Sequence, residues 1–540
     1  MKKNMQKKQN KKKGNLYQSF IELIMVGSVT GVFAGAVVTL FNILAHEGEE
    51  ISRNAYAYVR ANPAFIPLLF VVLALGGFFI GVLANVSSVI RGCGIPQTEG
   101  ATRGSVHFKW YRDMTAMFAA SLVSIFMGLS IGAEGPSVLI GSTAGDGVSS
   151  MLKRDEMIRK YQTTGGACTG LAVASNAPLT GIVFAFEEAH KRFTPEVFIC
   201  AFSSVIFGML TRSLIYKLLG MEIVSSFHSY VFNELPLKYY SFVILAGIVC
   251  GFAGVGFYKL CFFMRKLFKK IRAKKPEVAH GIRIMVAVLL GGAISLLAVG
   301  AMGGGHELIE SLGTYGGVTE PSTAVTFGRS LVWVLLSVLV LKTFVTSVNV
   351  GAGIPCGIFI PIIAIGACLG GLLNRLWIYI SPNMTPYADL MVMICLAAFF
   401  TTVVKAPLTS IIMICEFTGS FAPLLPVVIG VSIGYIIGEM SRTDGIYEEL
   451  LEQYEHETGI HERAVREVYV LGVAFGAIAD KREVRDVLWP ANTRVTEIHR
   501  GEEVILPDGE TVIHGGDVLT IVCKTVQPHK TKEDLEHILG

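Results

Sequence analysis

The sequence predicts an all-α polytopic membrane protein followed by a small cytoplasmic α+β domain. Of the 540 residues, 52% are hydrophobic and only 16% are charged, which is too little charge to cover a soluble protein of this size. Uncharged runs recur, and each supplies the roughly 20 apolar residues of a spanning helix; they include 61–90, 161–186, 343–374 and 418–438. After Gly445 this pattern stops and short β-rich runs begin.

Two basic clusters orient the chain in the membrane. The first is the tail of residues 1–15, which we expect to be disordered, and the second spans residues 265–275. Because basic loops stay on the inner side of membranes, both clusters are predicted to be cytoplasmic. Their position beside apolar runs favours this interpretation over nucleic-acid binding. We expect a multi-pass plasma-membrane protein with cytoplasmic termini and no cleavable signal peptide.

An internal repeat is visible in two pairs of motifs. Residues 176–183 (NAPLTGIV) are echoed by residues 405–412 (KAPLTSII), and the prolines of the two copies stand 229 positions apart. Residues 134–136 (EGP) are echoed by residues 359–361 (FIP), with prolines 225 positions apart. Two pairs at nearly one offset predict two homologous halves, although these residues do not show whether the second half is inverted.

We assign residues 16–445 to a transmembrane domain with halves at about 20–215 and 235–440. Several apolar segments are too short, or too interrupted by Gly and Pro, to span a membrane alone. Short, broken segments at corresponding positions of two halves are typical of a transporter binding site; they are 135–145, 177–186, 354–370 and 406–417.

The strongest candidate functional residue is Glu134, which stands alone in an otherwise uncharged stretch from Met114 to Gly145. A carboxylate at that depth is costly and is usually functional. The Gly-Pro pair that follows favours the start of a helix, and a helix N-terminus attracts anions. We therefore predict an anion site with an ionisable side chain at its mouth; the alternative is a carboxylate that caps a helix in an ordinary loop.

Three more segments are predicted to handle an anion. In residues 92–96 (GCGIP), glycines on both sides of Cys93 let backbone N–H groups approach a ligand. Residues 357–361 (GIFIP) form another Gly-to-Pro helix start in an uncharged run. The phenol of Tyr447, just beyond the last span, is a hydrogen-bond donor. The alternative for residues 92–96 is a helix-breaking loop, and that for residues 357–361 is a packing kink. The alternative for Tyr447 is an interfacial anchor.

Acidic residues follow the two NAPLTG-like segments, which are residues 176–183 and 405–412. Glu187 and Glu188 follow the first copy, and Glu416 follows the second. Adjacent acids at a membrane edge are usually solvated, but in a transporter such an acid is a natural proton carrier. We predict a structural hydrogen-bonding role for Glu416. Lys405 either adds positive potential or extends to the membrane surface.

Enzymatic function is not supported by the sequence. It contains no phosphate loop, HExxH, GxSxG or clustered metal-ligand spacing. The ten cysteines contain no CxxC pair and lie mostly in apolar runs, so they are interpreted as buried apolar residues rather than disulfides. We expect neither catalytic residues nor a bound metal.

The C-terminal region divides into a linker helix at 446–463 and a soluble domain at 464–540. Leu506-Pro507-Asp508-Gly509 is a strong hairpin-turn signal, and residues 531–539 are predicted to form a closing helix. The predicted strands are 468–473, 495–499, 503–505, 511–513 and 518–523.

Taken together, these motifs resemble those of the CLC family of chloride channels and chloride/proton exchangers. Residues 92–96 are similar to the family motif GSGIP, 132–136 (GAEGP) to GREGP, and 357–361 to GxFxP. Residues 170–181, with the following glutamates, resemble a further signature. The resemblance spans about residues 17–450 and implies an inverted repeat of broken helices and a homodimer with one pathway per subunit.

The resemblance also implies roles for individual residues. Glu134 corresponds to the gating glutamate, which competes with chloride and carries a proton, and Glu188 to the internal proton-transfer glutamate of exchangers. The implied chloride-binding residues are Cys93, Gly94, Ile95, Ile358, Phe359 and Tyr447. Two departures matter: Cys93 replaces the usual Ser, which alters anion affinity or selectivity, and Ala133 replaces the common Arg or Lys, which removes a charge beside the gate.

Residues 465–540 resemble the C-terminal subdomain of TrkA/RCK potassium-transport regulators, through residues 496–509 and 515–519. That resemblance implies dimerisation and regulation by a small ligand such as a nucleotide. The sequence thus predicts a proton-coupled chloride exchanger whose substrates are chloride and protons and which needs no cofactor. The rivals are a passive chloride or fluoride channel of the same fold, and a cation permease or its regulatory subunit.

Overall fold

The structure is a computed structural model, and it describes residues 2–154, 156–191, 193–221, 227, 230–313, 331–458, 465–490, 492–501, 503–525 and 528–540. Within these residues, eight helices are long and apolar enough to cross a membrane. A four-stranded sheet with one helix forms the C-terminal part. This architecture confirms the predicted fold class.

The helices that precede the C-terminal domain alternate between long spans and short broken segments. They are α1 Lys2–Ala61, α2 Ile66–Val86, α3 Ile95–Arg103, α4 Trp110–Phe126, α5 Glu134–Met151, α6 Glu156–Ser175, α7 Pro178–Phe184, α8 Pro195–Leu219, α9 Tyr240–Lys269, α10 Pro276–Leu297, α11 His306–Ser311, α12 Leu331–Ala352, α13 Phe359–Ile380, α14 Ala388–Val404, α15 Pro407–Thr418, α16 Leu424–Met440 and α17 Ile446–Glu457.

The basic N-terminal tail is helical, because α1 already begins at Lys2. Disorder is predicted for residues 1–15 from the sequence, whereas the structure gives residues 2–15 a helical backbone. Lysine and glutamine are good helix formers, and extending an existing helix costs far less free energy than nucleating one. The apolar part of α1 thus supplies the nucleus from which the polar tail continues.

Glycines let α5 and α6 approach until their backbones touch. A Cβ atom on Gly141 would lie 2.2 Å from the carbonyl oxygen of Gly166, and one on Gly170 would lie 2.1 Å from that of Ser137. Small residues at such spacing are the usual means of close helix packing inside membranes. This contact holds the N-terminus of α5, which carries Glu134, against a rigid neighbour.

The C-terminal domain marks one face of the membrane domain, which we call the inner face. Met157, at the start of α6, packs against the core of that domain, and nearby Arg154 forms an ion pair with Glu22 of α1. Glu49 lies on the same helix about 40 Å farther along, at about 1.5 Å per residue. The end of α1 that carries Glu49 therefore marks the opposite, outer face.

The two halves of the membrane domain are inverted. Helices α5 and α13 begin beside each other, and α5 ends at the inner face near Arg154. The far end of α13 carries Trp377, whose ring contacts Phe242 at the start of α9 with centroids 5.8 Å apart. The other end of α9 lies at the inner face, where Arg265 pairs with Glu457 at 3.0 Å. Helix α13 therefore runs outward, as an inverted repeat requires.

The helices α7 and α15 confirm that the NAPLTG-like segments are structural equivalents. Each begins at a proline, and the residue two positions before that proline has a left-handed backbone, with φ of 54° at Asn176 and 71° at Lys405. The carboxylate of Glu187 accepts hydrogen bonds from the first amides of α15. The carboxylate of Glu416 accepts them from the first amides of α7.

The C-terminal domain is an antiparallel sheet of order β1-β4-β2-β3 covered by one helix. Its core contains Val495, Ile498 and Leu519 from the sheet and Leu535 from the helix. Ile498 pairs with Leu519 on one side and with Ile505 on the other. The elements are β1 Val465–Gly472, β2 Thr493–Arg500, β3 Glu503–Ile505, β4 Val518–Thr525 and α18 Pro528–Leu539.

Two details of this domain differ from the prediction. Residues 511–513 form no strand; Val512 makes only an isolated bridge to Glu483. The Pro507-Asp508-Gly509 turn does not join two paired strands, because β3 pairs with β2, which precedes it. The Asp508 carboxylate instead accepts a hydrogen bond from the Glu510 amide at 3.1 Å, a local turn.

Candidate functional site

Three glycine-containing loops meet in the middle of the membrane domain. Gly132 and Gly357 exchange two backbone hydrogen bonds, of 2.8 and 3.1 Å. The Cys356 amide donates to the Gly92 carbonyl at 3.3 Å. A Cβ atom on Gly135 would lie 2.3 Å from the carbonyl oxygen of Cys93, so only glycine permits this approach. The structure thus brings all three predicted Gly-Pro segments together.

Three helix N-termini converge where these loops meet. Helices α3, α5 and α13 begin at Ile95, Glu134 and Phe359, directly after the three loops. Gly94 precedes α3 with φ of 89°, a conformation that glycine adopts without strain. The first amides of each helix lack intrahelical partners and carry partial positive charge. The amides of Ile358 and Phe359 lie at the start of α13, as the sequence indicates.

Glu134 is buried at the start of α5, with only 1% of its surface exposed. Its Oε1 atom lies 3.3 Å from Nε2 of His306. Its Oε2 atom has no hydrogen-bond partner among the described residues. A buried carboxylate with one free oxygen is available either to take a proton or to compete for donors with an anion.

Tyr447 lies at the start of α17 and is fully buried. Among the described residues its hydroxyl group has no hydrogen-bond partner, and it interacts electrostatically with Cys93, Glu134 and Glu188. A buried hydroxyl without a partner is costly, which makes Tyr447 a candidate donor at this centre. The thiol of Cys93 is also buried, with 3% exposure.

The inner side of this centre contains a small cavity of about 20 Å³ lined by Cys93 and Ile358. Arg91 and Arg265 also line it, and Nε of Arg265 has no partner among the described residues. Sequence reasoning missed both arginines as site residues: it treated Arg265 only as part of a basic cluster. Their position gives the inner mouth of the centre a positive potential.

Glu188 is buried in the π-helical turn Ala185–Ala189 that follows α7. It interacts electrostatically with Glu99, Lys191 and Glu448. Lys191 pairs with Glu448 at 2.6 Å and with Glu99 at 3.6 Å. Because α17 leads directly to the C-terminal domain, this charged cluster faces inward, whereas Glu134 and His306 lie on the outer side.

Several members of this cluster were missed from the sequence. Glu99 is 2% exposed, and it pairs with Arg103 one helical turn later on α3. Arg103 also lies 3.7 Å from Glu448. The spacing of Glu99 and Arg103 directly after the Gly92–Pro96 loop was the available signal, since an acid and a base four residues apart share one helix face. His306 carried no comparable local signal.

An inverted repeat of broken helices around a buried carboxylate defines an integral membrane protein for ion transport. A family model described as Voltage gated chloride channel matches residues 76–439. The chain belongs to this family, which confirms the resemblance to CLC proteins. Residues 469–533 match a model of the TrkA-C domain, which confirms the second resemblance.

Similar curated proteins include the H(+)/Cl(-) exchange transporter ClcA of Vibrio cholerae serotype O1 (strain M66-2). It is 28% identical over 448 residues, which cover 80% of this chain and 89% of the relative. The protein of the same name from Yersinia pseudotuberculosis serotype IB (strain PB1/+) is 26% identical over 437 residues, covering 79% and 87%.

Two solved structures share the fold. A slow cyanobacterial Cl-/H+ antiporter superposes with a TM-score of 0.71 at 22% identity, covering 81% of this chain and 99% of the other. A CLC-type fluoride/proton antiporter superposes with a TM-score of 0.59 at 21% identity, covering 79% and 97%. At these identities the likeness establishes the fold alone.

Proposed function

We propose that this protein exchanges chloride for protons across the plasma membrane and acts as a transporter rather than an enzyme. One observation carries the proposal: Glu134 and Glu188 are buried carboxylates on the outer and inner sides of the same centre. An anion pathway alone needs no titratable group on its inner side, whereas a proton route does. The names of the similar curated proteins agree with this function.

In this proposal the anion is held by dipoles rather than by a full positive charge. Backbone amides at helix starts and neutral side-chain donors bind chloride weakly enough for rapid release. Glu134 alternates between competing with chloride and carrying a proton, and Glu188 passes protons to and from the inner solution. The proposed chloride-binding residues are Cys93, Gly94, Ile95, Ile358, Phe359 and Tyr447.

The proposal is tested by measuring chloride and proton flux together in proteoliposomes. We expect a chloride gradient to drive protons uphill with the wild-type protein. Glu134→Ala and Glu188→Gln should keep chloride flux and lose proton pumping. Glu439→Gln is the matched control, because this exposed carboxylate lies on α16 and pairs with Lys405, which directly follows α14.

The same experiment separates the rival functions. Chloride flux without coupled protons in the wild type would support a passive channel. Faster flux of fluoride than of chloride would identify fluoride as the main substrate. Flux of potassium without anions would support a cation permease. The potassium result would contradict the anion assignment of the three loops, whereas the fluoride result would change only the identity of the transported anion.

We propose that the protein is a homodimer that associates through the face formed by α7 and α15. Glu187 and Glu416 are only partly buried there, although both lie on broken helices within the membrane domain. Partly exposed carboxylates and helix ends are unfavourable against lipid, so a second copy is the better neighbour. Cross-linking between copies at Leu179→Cys or Leu408→Cys, two exposed positions, would test this interface.

We propose that the C-terminal domain regulates transport by binding a small anionic ligand such as a nucleotide. Arg466, Arg494 and Lys524 line a surface cavity of about 320 Å³ on the sheet. Calorimetry on the full-length protein with a panel of nucleotides tests this, and Arg494→Ala should abolish binding. If no nucleotide binds, a purely structural role in dimerisation is preferred.

We propose that both termini are cytoplasmic. The C-terminal domain and the polar start of α1 share the inner face, and that face also carries the basic residues Arg265 and Lys269, which pair with Glu457. Positive charge on the inner face agrees with the positive-inside rule. Protection of a C-terminal tag from protease in sealed right-side-out vesicles would test this orientation.

A further inference from the structure

The loop that precedes α11 is fastened to the segment that carries Glu134. The Gly303 amide donates to the Leu129 carbonyl at 3.1 Å, and the Gly304 amide donates to Oε1 of Glu49 at 3.1 Å. A Cβ atom on Gly304 would lie 3.6 Å from Cα of Gly132. The backbone therefore places the next side chain, that of His306, at a fixed position beside the gate.

His306 adjoins Glu134 and reaches solution. Its Nε2 atom lies 3.3 Å from Oε1 of Glu134, and the His306 side chain is 40% exposed whereas that of Glu134 is 2% exposed. The imidazole ring also packs against Phe227, with ring centroids 6.4 Å apart. One edge of the ring thus meets the buried carboxylate and the rest remains accessible.

His306 contacts the solution at the outer face of the membrane domain. Glu49 holds the loop from the outer end of α1, and Arg53, one turn farther along, pairs with Glu307. Both contacts lie at the end of α1 opposite to the C-terminal domain. The imidazole ring therefore lies between the buried carboxylate of Glu134 and the outer face.

We propose that His306 is a positioning and proton-relay residue that connects Glu134 with the outer solution. The inference rests on the proposed exchange function. When Nε2 of the imidazolium gives up its proton, the N–H bond breaks and an O–H bond forms on Oε1 of Glu134. The imidazolium becomes neutral imidazole, the carboxylate becomes a carboxylic acid, and the outer solution then restores the proton of the exposed ring.

The charges around the ring suit this role. Glu134 faces it from α5, Glu49 from α1 and Glu310 from its own helix, and the Arg53–Glu307 pair lies beside it. Lys342 approaches the same loop from α12, where its Nζ donates to the Gly303 carbonyl at 3.0 Å. Acidic groups on three helices stabilise an imidazolium ion, while the lysine donates its hydrogen bonds to Ser130 and to backbone carbonyls.

The test measures chloride-driven proton uptake by full-length protein in proteoliposomes at a series of outer pH values. We expect the wild type to show a step above the ordinary titration range of histidine, because burial lowers the pKa of His306 but the hydrogen bond and the charge of Glu134 outweigh it and raise that pKa. His306→Gln should keep chloride flux, lose this step and transport protons several-fold more slowly. Imidazole added to the outer buffer should restore the rate, since a purely structural defect would not respond to it.

His46→Gln is the matched control, because His46 is exposed near the outer end of α1. In a Glu134→Ala background, His306→Gln should cause no further change, since the relay has lost its acceptor. If His306→Gln does not fold, His306→Asn is measured in the same way. A wild-type pH profile and rate in these variants would overturn the relay alone, whereas a wild-type protein that pumps no protons would overturn the exchange function and the relay with it.

Discussion

Glu187 and Glu416 each cap the broken helix of the other half of the molecule. Glu187 accepts hydrogen bonds from the amides of Leu408 and Thr409 at 2.8 and 2.6 Å. Glu416 accepts them from the amides of Leu179 and Thr180, both at 2.7 Å. A carboxylate satisfies the first amides of a helix and matches the positive end of its dipole. This reciprocal capping therefore holds the two inverted halves together.

Glu416→Gln should destabilise the protein by about 1 to 2 kcal/mol, the usual range for the loss of a helix cap. The amide replaces one acceptor oxygen with a donor that faces other donors. Thermal unfolding in detergent, followed by tryptophan fluorescence, should show a lower midpoint, and Glu187→Gln should behave in the same way. Glu439→Gln serves as the control, and equal midpoints for all three variants would contradict the reciprocal capping.

The positions of the helix breaks were predictable because their chemistry is local. A proline lacks an amide hydrogen and fits the first turn of a helix, so Pro136, Pro178, Pro361 and Pro407 mark four helix starts directly in the sequence. The repeat was visible for the same reason. Inversion was not visible in the motifs, since it depends on which face each helix reaches rather than on residues within the helix.

The contacts of the site were less predictable because they join distant parts of the chain. His306 lies 172 positions after Glu134, in a region where no local pattern distinguishes it from a surface histidine. Arg91 sits at a cavity formed by several loops, so its sequence context indicates only a polar turn. Glu99 had a weak signal in its spacing from Arg103, but only packing reveals that Glu99 adjoins Glu188.

Lys342 supplies a positive charge that Ala133 does not. This lysine is fully buried on α12, and its Nζ atom contacts neutral oxygens of Ser130, Met302 and Gly303 at 3.0 to 3.4 Å. Lys342→Met should lower chloride affinity by about tenfold, or about 1.4 kcal/mol, and should also lower the thermal midpoint, because Ser130 and the carbonyls of Met302 and Gly303 lose their donor. Chloride titration checks this.

The exposed residue Lys217 on α8 offers a control for that experiment, since Lys217→Met removes one positive charge from the surface. The control should bind chloride as the wild type does. Equal chloride affinity in Lys342→Met and wild-type protein would show that the buried charge does not reach the anion.

Tyr447→Phe should weaken chloride binding several-fold while leaving the protein at least as stable as the wild type. The hydroxyl group makes no hydrogen bond with the described residues, and leaving a buried polar group unsatisfied costs about 1 to 3 kcal/mol. Its removal therefore relieves that cost in the empty protein and removes a donor from the occupied one. Calorimetry and thermal unfolding on the same sample measure both effects, and unchanged chloride affinity would exclude the hydroxyl as a ligand.

Cys93→Ser should tighten chloride binding at the centre. A hydroxyl group is a stronger hydrogen-bond donor than a thiol, and the side chain at 93 lies in the loop that contacts Gly135. Calorimetric titration with chloride gives the comparison, with Cys415→Ser as a control for a buried thiol elsewhere. Equal or weaker chloride binding by Cys93→Ser would contradict this prediction.

In the C-terminal domain, Asp517 joins the end of β2 to the turn before β4. Arg500 donates to both of its carboxylate oxygens, at 2.9 and 2.8 Å, and the His514 amide donates at 2.8 Å. Burial raises the pKa of Asp517, but the hydrogen bonds from Arg500 and His514 outweigh it and lower the pKa below its ordinary value. The stabilisation is therefore complete above about pH 4, near the unfolded-state pKa, and is lost as the pH falls through the lowered folded-state pKa.

Asp517→Asn should cost about 2 kcal/mol at neutral pH, as expected for hydrogen bonds to a charged group. Hydrogen exchange of β4 amides in the full-length protein, corrected for intrinsic rates, should be faster in this variant at pH 7. Acidification below pH 4 should accelerate exchange in the wild type and change the variant little, since its amide does not titrate. Glu503→Gln on β3 is the control, because it removes an exposed carboxylate from the same sheet. If wild-type and Asp517→Asn amides exchange equally at pH 7, the Arg500–Asp517 pair does not stabilise the domain.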